Sequence, residues 1–132
     1  MRATLRLLGT RGTGRLVARS AADREVGRTI AELMAAADRR ALGFVSQNIA
    51  TYDYTATLRQ SRVPWQLLRG GVDRGINRTL GSTLQVISGR EDAVVIDLEG
   101  AGHFANLEQP RAFDDAVQRF IDRHVTAAGG RT

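Results

Sequence analysis

Cysteine and lysine are both missing from this chain, and proline occurs at two positions, Pro64 and Pro110. Without cysteine there is no thiol nucleophile, no disulfide and no thiolate-bound zinc, and a reducing compartment, the cytoplasm, is the expected location. Without lysine, all 19 basic residues are arginine. Surface charge alone would tolerate either residue, so the bias reads as that of an arginine-favouring genome. No apolar run approaches the ~20 residues that a membrane crossing needs, and no membrane partner is expected. Aromatic residues make up 5% of the chain and form no base-stacking motif. Zinc-finger and helix-turn-helix signatures are missing as well, so the formal charge of +5 does not by itself specify a nucleic-acid partner. The two histidines, His103 and His124, show neither H-E-x-x-H nor facial-triad spacing, and neither a metal nor a cofactor is expected.

Acids are missing locally too. Residues 1–20 carry Arg2, Arg6, Arg11, Arg15 and Arg19 and no carboxylate. This opening, "MRATLRLLGTRGTGRLVARS", has two short apolar stretches around a Gly/Thr-rich turn and admits a hairpin, a frayed helix or a loosely held tail. Its "GTRGTG" lacks the consecutive Lys-Ser/Thr pair with which a phosphate loop reaches the phosphates and their metal. What is present is ordinary for a soluble domain: 132 residues, 42% hydrophobic and 25% charged, enough for one core and too short for two.

The organisation divides as a basic segment over 1–21, a helical region over 22–60, an α/β portion over 61–125 and a disordered tail over 126–132. Val26, Ile30, Leu33, Met34 and Ala37 recur at helical spacing, and Leu42, Val45 and Ile49 predict a second helix. "TYDYTATLRQSR" reads as a turn and short helix, with Tyr52 and Tyr54 lining a cleft or packing at a polar edge. In "VPWQLLRGGVD" Pro64 precedes a strand over Trp65–Leu68, and Gly70 and Gly71 permit a sharp exit toward Asp73. Ile76, Leu80, Leu84 and Ile87 predict a helix over 76–88, with Gly81 its weak point and Gly89 its stop. "AVVIDL" follows as a buried strand. Strand, helix and strand make the right-handed crossover of a parallel sheet. Pro110 then suits the first turn of a helix whose buried face is Phe113, Val117, Phe120, Ile121 and Val125, with His124 near its end.

Ligands of open parallel sheets gather at the C-terminal ends of the strands. Asp73 and His103 both follow a strand, so neighbouring strands deliver them to one rim. A carboxylate there fixes the imidazole tautomer and stabilises the imidazolium, leaving the other nitrogen to take a proton from a nucleophile. Asp92 is closer in sequence but precedes the last strand; five to six residues at about 3.3 Å each place it roughly 15 to 20 Å from His103. The nucleophile is what is missing: Ser20, Ser46, Ser61, Ser82 and Ser88 are the serines, and none lies in G-x-S-x-G.

"VPWQLLRGGVD", and "AVVIDLEGAGHFANLEQPRAFDDAVQRFI" after the intervening helix, resemble the C-terminal part of the α/β-hydrolase superfamily, in its cap-bearing branch. The likeness covers residues 60–125, and residues 22–60 resemble the end of a helical cap. It rests on Pro64 through Asp73, with Trp65 where a smaller residue is usual, and on Gly100–His103 followed by Leu107–Pro110. The resemblance implies an α/β fold, a partial hydrolase core with a short parallel sheet and flanking helices. It also implies catalytic roles for His103 and Asp73 in a serine-type hydrolase acting on an ester or related carbonyl of a small molecule. The sheet strands, oxyanion loop and nucleophile elbow that precede this region in the family have no counterpart. A truncated or fragmentary hydrolase, with little activity alone, is therefore expected. Its exposed sheet edge would favour self-association or a complementary N-terminal half. Two other readings stay open: a non-catalytic interaction or scaffold protein reusing the fold, and a basic nucleic-acid-associated protein. Trp65 lines the pocket or packs behind its strand.

Overall fold

A computed structural model describes residues 2–49 and 52–129. The N-terminal part is helical: α1 (Arg2–Ala18), α2 (Arg24–Ala36), α3 (Arg39–Ile49) and α4 (Thr55–Gln60). The α/β part follows as β1 (Trp65–Gly70), α5 (Arg74–Asn77), α6 (Gly81–Ser88), β2 (Ala93–Leu98), α7 (Ala105–Glu108) and α8 (Pro110–Gly129). The two strands pair in parallel, from Trp65 against Ala93 to Gly70 against Leu98. The protein is thus mixed α/β, with a two-stranded parallel sheet among the described residues. None of the described helices is long and apolar enough to cross a membrane.

The opening segment resolves as a helix kinked at Gly9, whose φ of 61° places it in the left-handed region that favours glycine. What holds α1 in place is close backbone packing: a Cβ on Gly14 would lie 2.9 Å from the Ala31 carbonyl oxygen and 3.0 Å from the Met34 Cβ. Glycine at this point lets α1 and α2 touch. Asp23 caps α2 by accepting from the Glu25 and Val26 amides at 2.8 and 2.9 Å, satisfying donors that the first turn leaves orphaned. Arg39 ties α3 back to α1 through the Leu5 and Arg6 carbonyls.

Three expected apolar stripes are only partly buried. Leu33 is exposed on α2, as are Val45 and Ile49 on α3, where the buried residue is Ser46. Its hydroxyl donates to the Leu42 carbonyl at 2.6 Å. α3 packs chiefly against α1 among the described residues, so a strip that includes Gly43 and Ser46 serves the contact. On α8, Ala116 is the buried residue, while Ile121 and Val125 are exposed. A 20-residue helix is about 30 Å long against about 20 Å for a six-residue strand, so its distal turns outrun the sheet. α8 continues to Gly129 through most of the expected 126–132 tail; residues 130–132 lie outside the described ones.

The single helix expected over 76–88 is divided. Asp73 caps a one-turn helix that ends at Asn77, and a new helix starts at Gly81, with the Leu84 amide donating to Leu80. Arg90 closes the other end of the sheet. Its guanidinium donates to the carbonyls of Leu58, Ser61 and Val63 and to Asp92, binding the end of α4 to the entry of β2.

Candidate functional site

Both strands end at the same level, and the turns that follow them are interlocked. The Val72 amide donates to the Ala101 carbonyl at 3.0 Å and the Gly71 amide to Leu98 at 2.9 Å. Gly70 permits this approach: a Cβ there would sit 1.9 Å from the Gly102 carbonyl oxygen and 2.6 Å from that of Ala101. Leu98, Ala101 and Ala105 form the buried cluster beneath, with Ala112 and Phe113 packed against it. The rim is therefore built on the tightest part of the core.

Asp73 and His103 meet on this rim. Nδ1 of His103 lies 2.7 Å from Oδ2 of Asp73. The other carboxylate oxygen, Oδ1, caps α5 by accepting from the Ile76 amide at 3.1 Å. The aspartate is 7% exposed, whereas the histidine side chain keeps 38% of its surface. A buried acceptor beneath a partly exposed ring favours the Nδ1–H tautomer and leaves Nε2 as the nitrogen that can take or give a proton. Phe104 packs edge-on to the imidazole with centroids 5.0 Å apart. A cavity of about 200 Å³ opens beside the pair, lined by Leu68, Ile76, Leu80, Asn106 and Phe113 among others.

Glu108 holds the histidine turn from below. Its carboxylate accepts from the amides of Gly102 and Phe104, on either side of His103. Gln109 donates to the Glu99 carbonyl, and Gly100 makes the bend with a φ of 76°. Sequence reasoning took Glu108 only as part of a motif. The signal available for its role was a carboxylate two residues ahead of the helix that starts at Pro110, close enough in sequence to reach back to the turn. The α1–α2 turn contributes the remaining support, since the His103 amide donates to the Ser20 carbonyl at 2.9 Å. A Cβ on Gly102 would lie 2.5 Å from that same oxygen. Nothing in the local sequence signals this contact, which joins residues more than eighty positions apart.

The other residues considered from the sequence lie elsewhere. Asp92 sits at the entry of β2, where its carbonyl accepts from Trp65 and its carboxylate is bound by Arg90. That hydrogen bond holds the Asp92 carboxyl below its ordinary value. Asp97, near the exit of β2, is similarly held low by its hydrogen bond to Arg69. Trp65 begins β1 and donates from Nε1 to the Ser61 hydroxyl at 2.8 Å; it is not part of the cavity wall at His103. Tyr52 and Tyr54 are exposed, with ring centroids 5.5 Å apart. His124 packs on Phe120 along α8 at 4.6 Å. Ser46 and Ser88 donate back into their own helices. Ser20 comes near the rim through its backbone, and its hydroxyl donates to the Val17 carbonyl at 2.6 Å.

Among the described residues no group of three or more His, Asp and Glu side chains gathers as a metal would require. No known family model, curated protein or solved structure matches this chain.

Proposed function

We propose that His103 and Asp73 are the general base and orienting acid of a serine-type acyl-transfer site, in a partial α/β-hydrolase core with a helical cap. The observation that carries this reading is the 2.7 Å contact between Nδ1 of a partly exposed histidine and a buried carboxylate, at the C-terminal end of parallel strands. In that arrangement Nε2 removes the proton from an attacking hydroxyl as its oxygen bonds to an ester carbonyl carbon. The same proton then passes to the departing alcohol as the carbon–oxygen bond breaks. Water repeats the sequence on the acyl intermediate. Asp73 stabilises the imidazolium between the two transfers.

The hydroxyls of Ser20, Ser46, Ser61 and Ser88 are engaged away from His103, so on this reading a complementary segment supplies the nucleophile. The outer edge of β1 offers the way in. The amides of Trp65 and Gly71 point toward β2, so by the alternation of a strand those of Gln66 and Leu68 point away from it. Beside that edge, Leu67, Leu68, Phe113, Val117 and Phe120 line an apolar groove of about 440 Å³. An added strand would pair with the edge and cover the groove.

The test is affinity purification of the intact chain from its native host, followed by labelling of the purified material with a fluorophosphonate, which reacts with activated serines. The expected result is a co-purifying protein whose labelling is lost with His103→Ala, while the complex itself persists. A complex labelled equally with or without His103 overturns the proposal, as does the recovery of no labelled partner. A complex indifferent to His103 would instead favour the scaffold reading.

A further inference from the structure

The cleft between α1 and α2 gathers more positive charge than the fold uses. Arg15, Arg19, Arg24 and Arg28 all border one cavity of about 390 Å³, whose wall includes Ala18 and Gly27. The spacing explains the convergence. Arg15 lies in the last turn of α1 and Arg19 just past its end, Arg24 and Arg28 are one turn apart at the start of α2, and the two helices are pressed together at Gly14. A Cβ on Gly27 would meet the Ala18 carbonyl oxygen at 3.0 Å, so the floor between the four exposed arginines is backbone and small side chains.

Carboxylates do not neutralise the cluster. Asp23 is the one acid in the cavity wall, and its Oδ1 is already engaged by two amides of α2. Arg28 reaches Glu25 at 3.4 Å, a contact between exposed side chains that contributes little. Among the described residues, no carboxylate lies within ion-pair distance of Arg15, Arg19 or Arg24. Four like charges around one hollow repel each other, and a compact anion of charge two or more relieves that repulsion. Guanidinium forks suit phosphate oxygens, which accept paired N–H donors.

We propose that this cleft binds a phosphate or diphosphate group, as the free ion or as part of a larger molecule. The site is separate from the Asp73–His103 pair and stands whether or not that pair catalyses acyl transfer.

The experiment is a titration of the full chain at low ionic strength with inorganic phosphate, pyrophosphate and a short single-stranded oligonucleotide, followed by amide NMR shifts. Saturable shifts confined to residues 15–31, stronger for pyrophosphate than for phosphate, are expected. Arg19→Gln with Arg24→Gln should weaken binding by roughly tenfold or more. Arg119→Gln with Arg123→Gln removes the same charge from exposed positions on α8 and should leave affinity within about twofold, as screened charges at a distance act weakly. His103→Ala should leave it unchanged, which separates this proposal from the catalytic one. Thermal melting of each variant checks folding. The proposal is overturned if neither phosphate nor pyrophosphate saturates, if the two double variants lose affinity equally, or if the oligonucleotide binds while pyrophosphate does not.

Discussion

Gly70→Ala is the most discriminating single change for the architecture of the rim. A methyl at this position points at the Gly102 carbonyl oxygen from 1.9 Å, where ordinary contact begins near 3.4 Å, so the two turns must separate by about 1.5 Å. Ala101, at 2.6 Å, blocks a sideways escape. Both obstacles are backbone atoms, which cannot rotate away as a side chain would. Overpacking of a close-packed interior typically costs about 1 to 3 kcal/mol, and the upper end applies where the neighbours are rigid. We therefore expect about 3 kcal/mol of destabilisation in urea unfolding, read as a fall in the midpoint at constant slope. Separation of the turns also pulls His103 from Asp73, so the low-field Nδ1–H resonance should be lost. Gly71→Ala is the control, because its Cβ would meet the Leu98 carbonyl oxygen at 3.3 Å, a distance that a few tenths of an ångström relieves. It should cost under about 1 kcal/mol. Equal costs for the two variants, or a Gly70→Ala protein that keeps both its stability and the His103 resonance, would refute the reasoning.

Glu108→Ala removes the acceptor of two backbone amides at the histidine turn, and should cost about 2 to 4 kcal/mol, with Glu108→Gln retaining part of the difference; thermal melts and the His103 amide shift measure both. Arg90→Lys should behave more like Arg90→Ala than like the parent, because one ammonium cannot reach three carbonyls and a carboxylate as a planar guanidinium does; a loss of about 2 kcal/mol in chemical denaturation is expected. Asp92 and Asp97 are held below 3.8 chiefly by hydrogen bonds to Arg90 and Arg69. Their stabilising contribution is complete above the unfolded value and disappears as pH falls through the lower folded one. Denaturation midpoints measured from pH 5 to pH 2 should therefore fall less steeply in Asp97→Asn than in the parent, and an unchanged slope would count against the Arg69 pairing.

What the sequence disclosed was governed by local rules. Strand, glycine exit and acid are visible in "LLRGGVD" because a strand alternates and a glycine pair permits a sharp turn, and the register then places Asp73 beside the loop of His103. The placement of Asp92 at the far end followed from strand length alone. The kinked helix over Arg2–Ala18 could be read only as one of three alternatives, because three glycines in its span obscure an element held by tertiary contact with Ala31 and Met34 rather than by propensity. The division of 76–88 was signalled only by the weak point at Gly81, where the second helix begins; that Asp73 serves both α5 and His103 cannot be read from periodicity. The α1–α2 turn at Ser20, which receives the His103 amide, has no sequence signature of any kind.

The two carboxylates at the rim divide the work in a way that bears on how the site is completed. Asp73 meets the imidazole through one oxygen and anchors α5 with the other, so its orientation is set even before the histidine is considered. Glu108 fixes the main chain on both sides of His103 and does not share a donor with Asp73. The ring position is thus specified twice, from the carboxylate it contacts and from the backbone that carries it. Neither clamp draws on the outer edge of β1, where Gln66 and Leu68 face away from β2. Under the proposed acyl-transfer reading, a strand added at that edge would meet the Asp73–His103 pair already in place and would have to deliver only a hydroxyl at the right height. Preorganisation of this kind would, on that reading, confine the entropic cost of assembly to docking and keep it out of the chemistry.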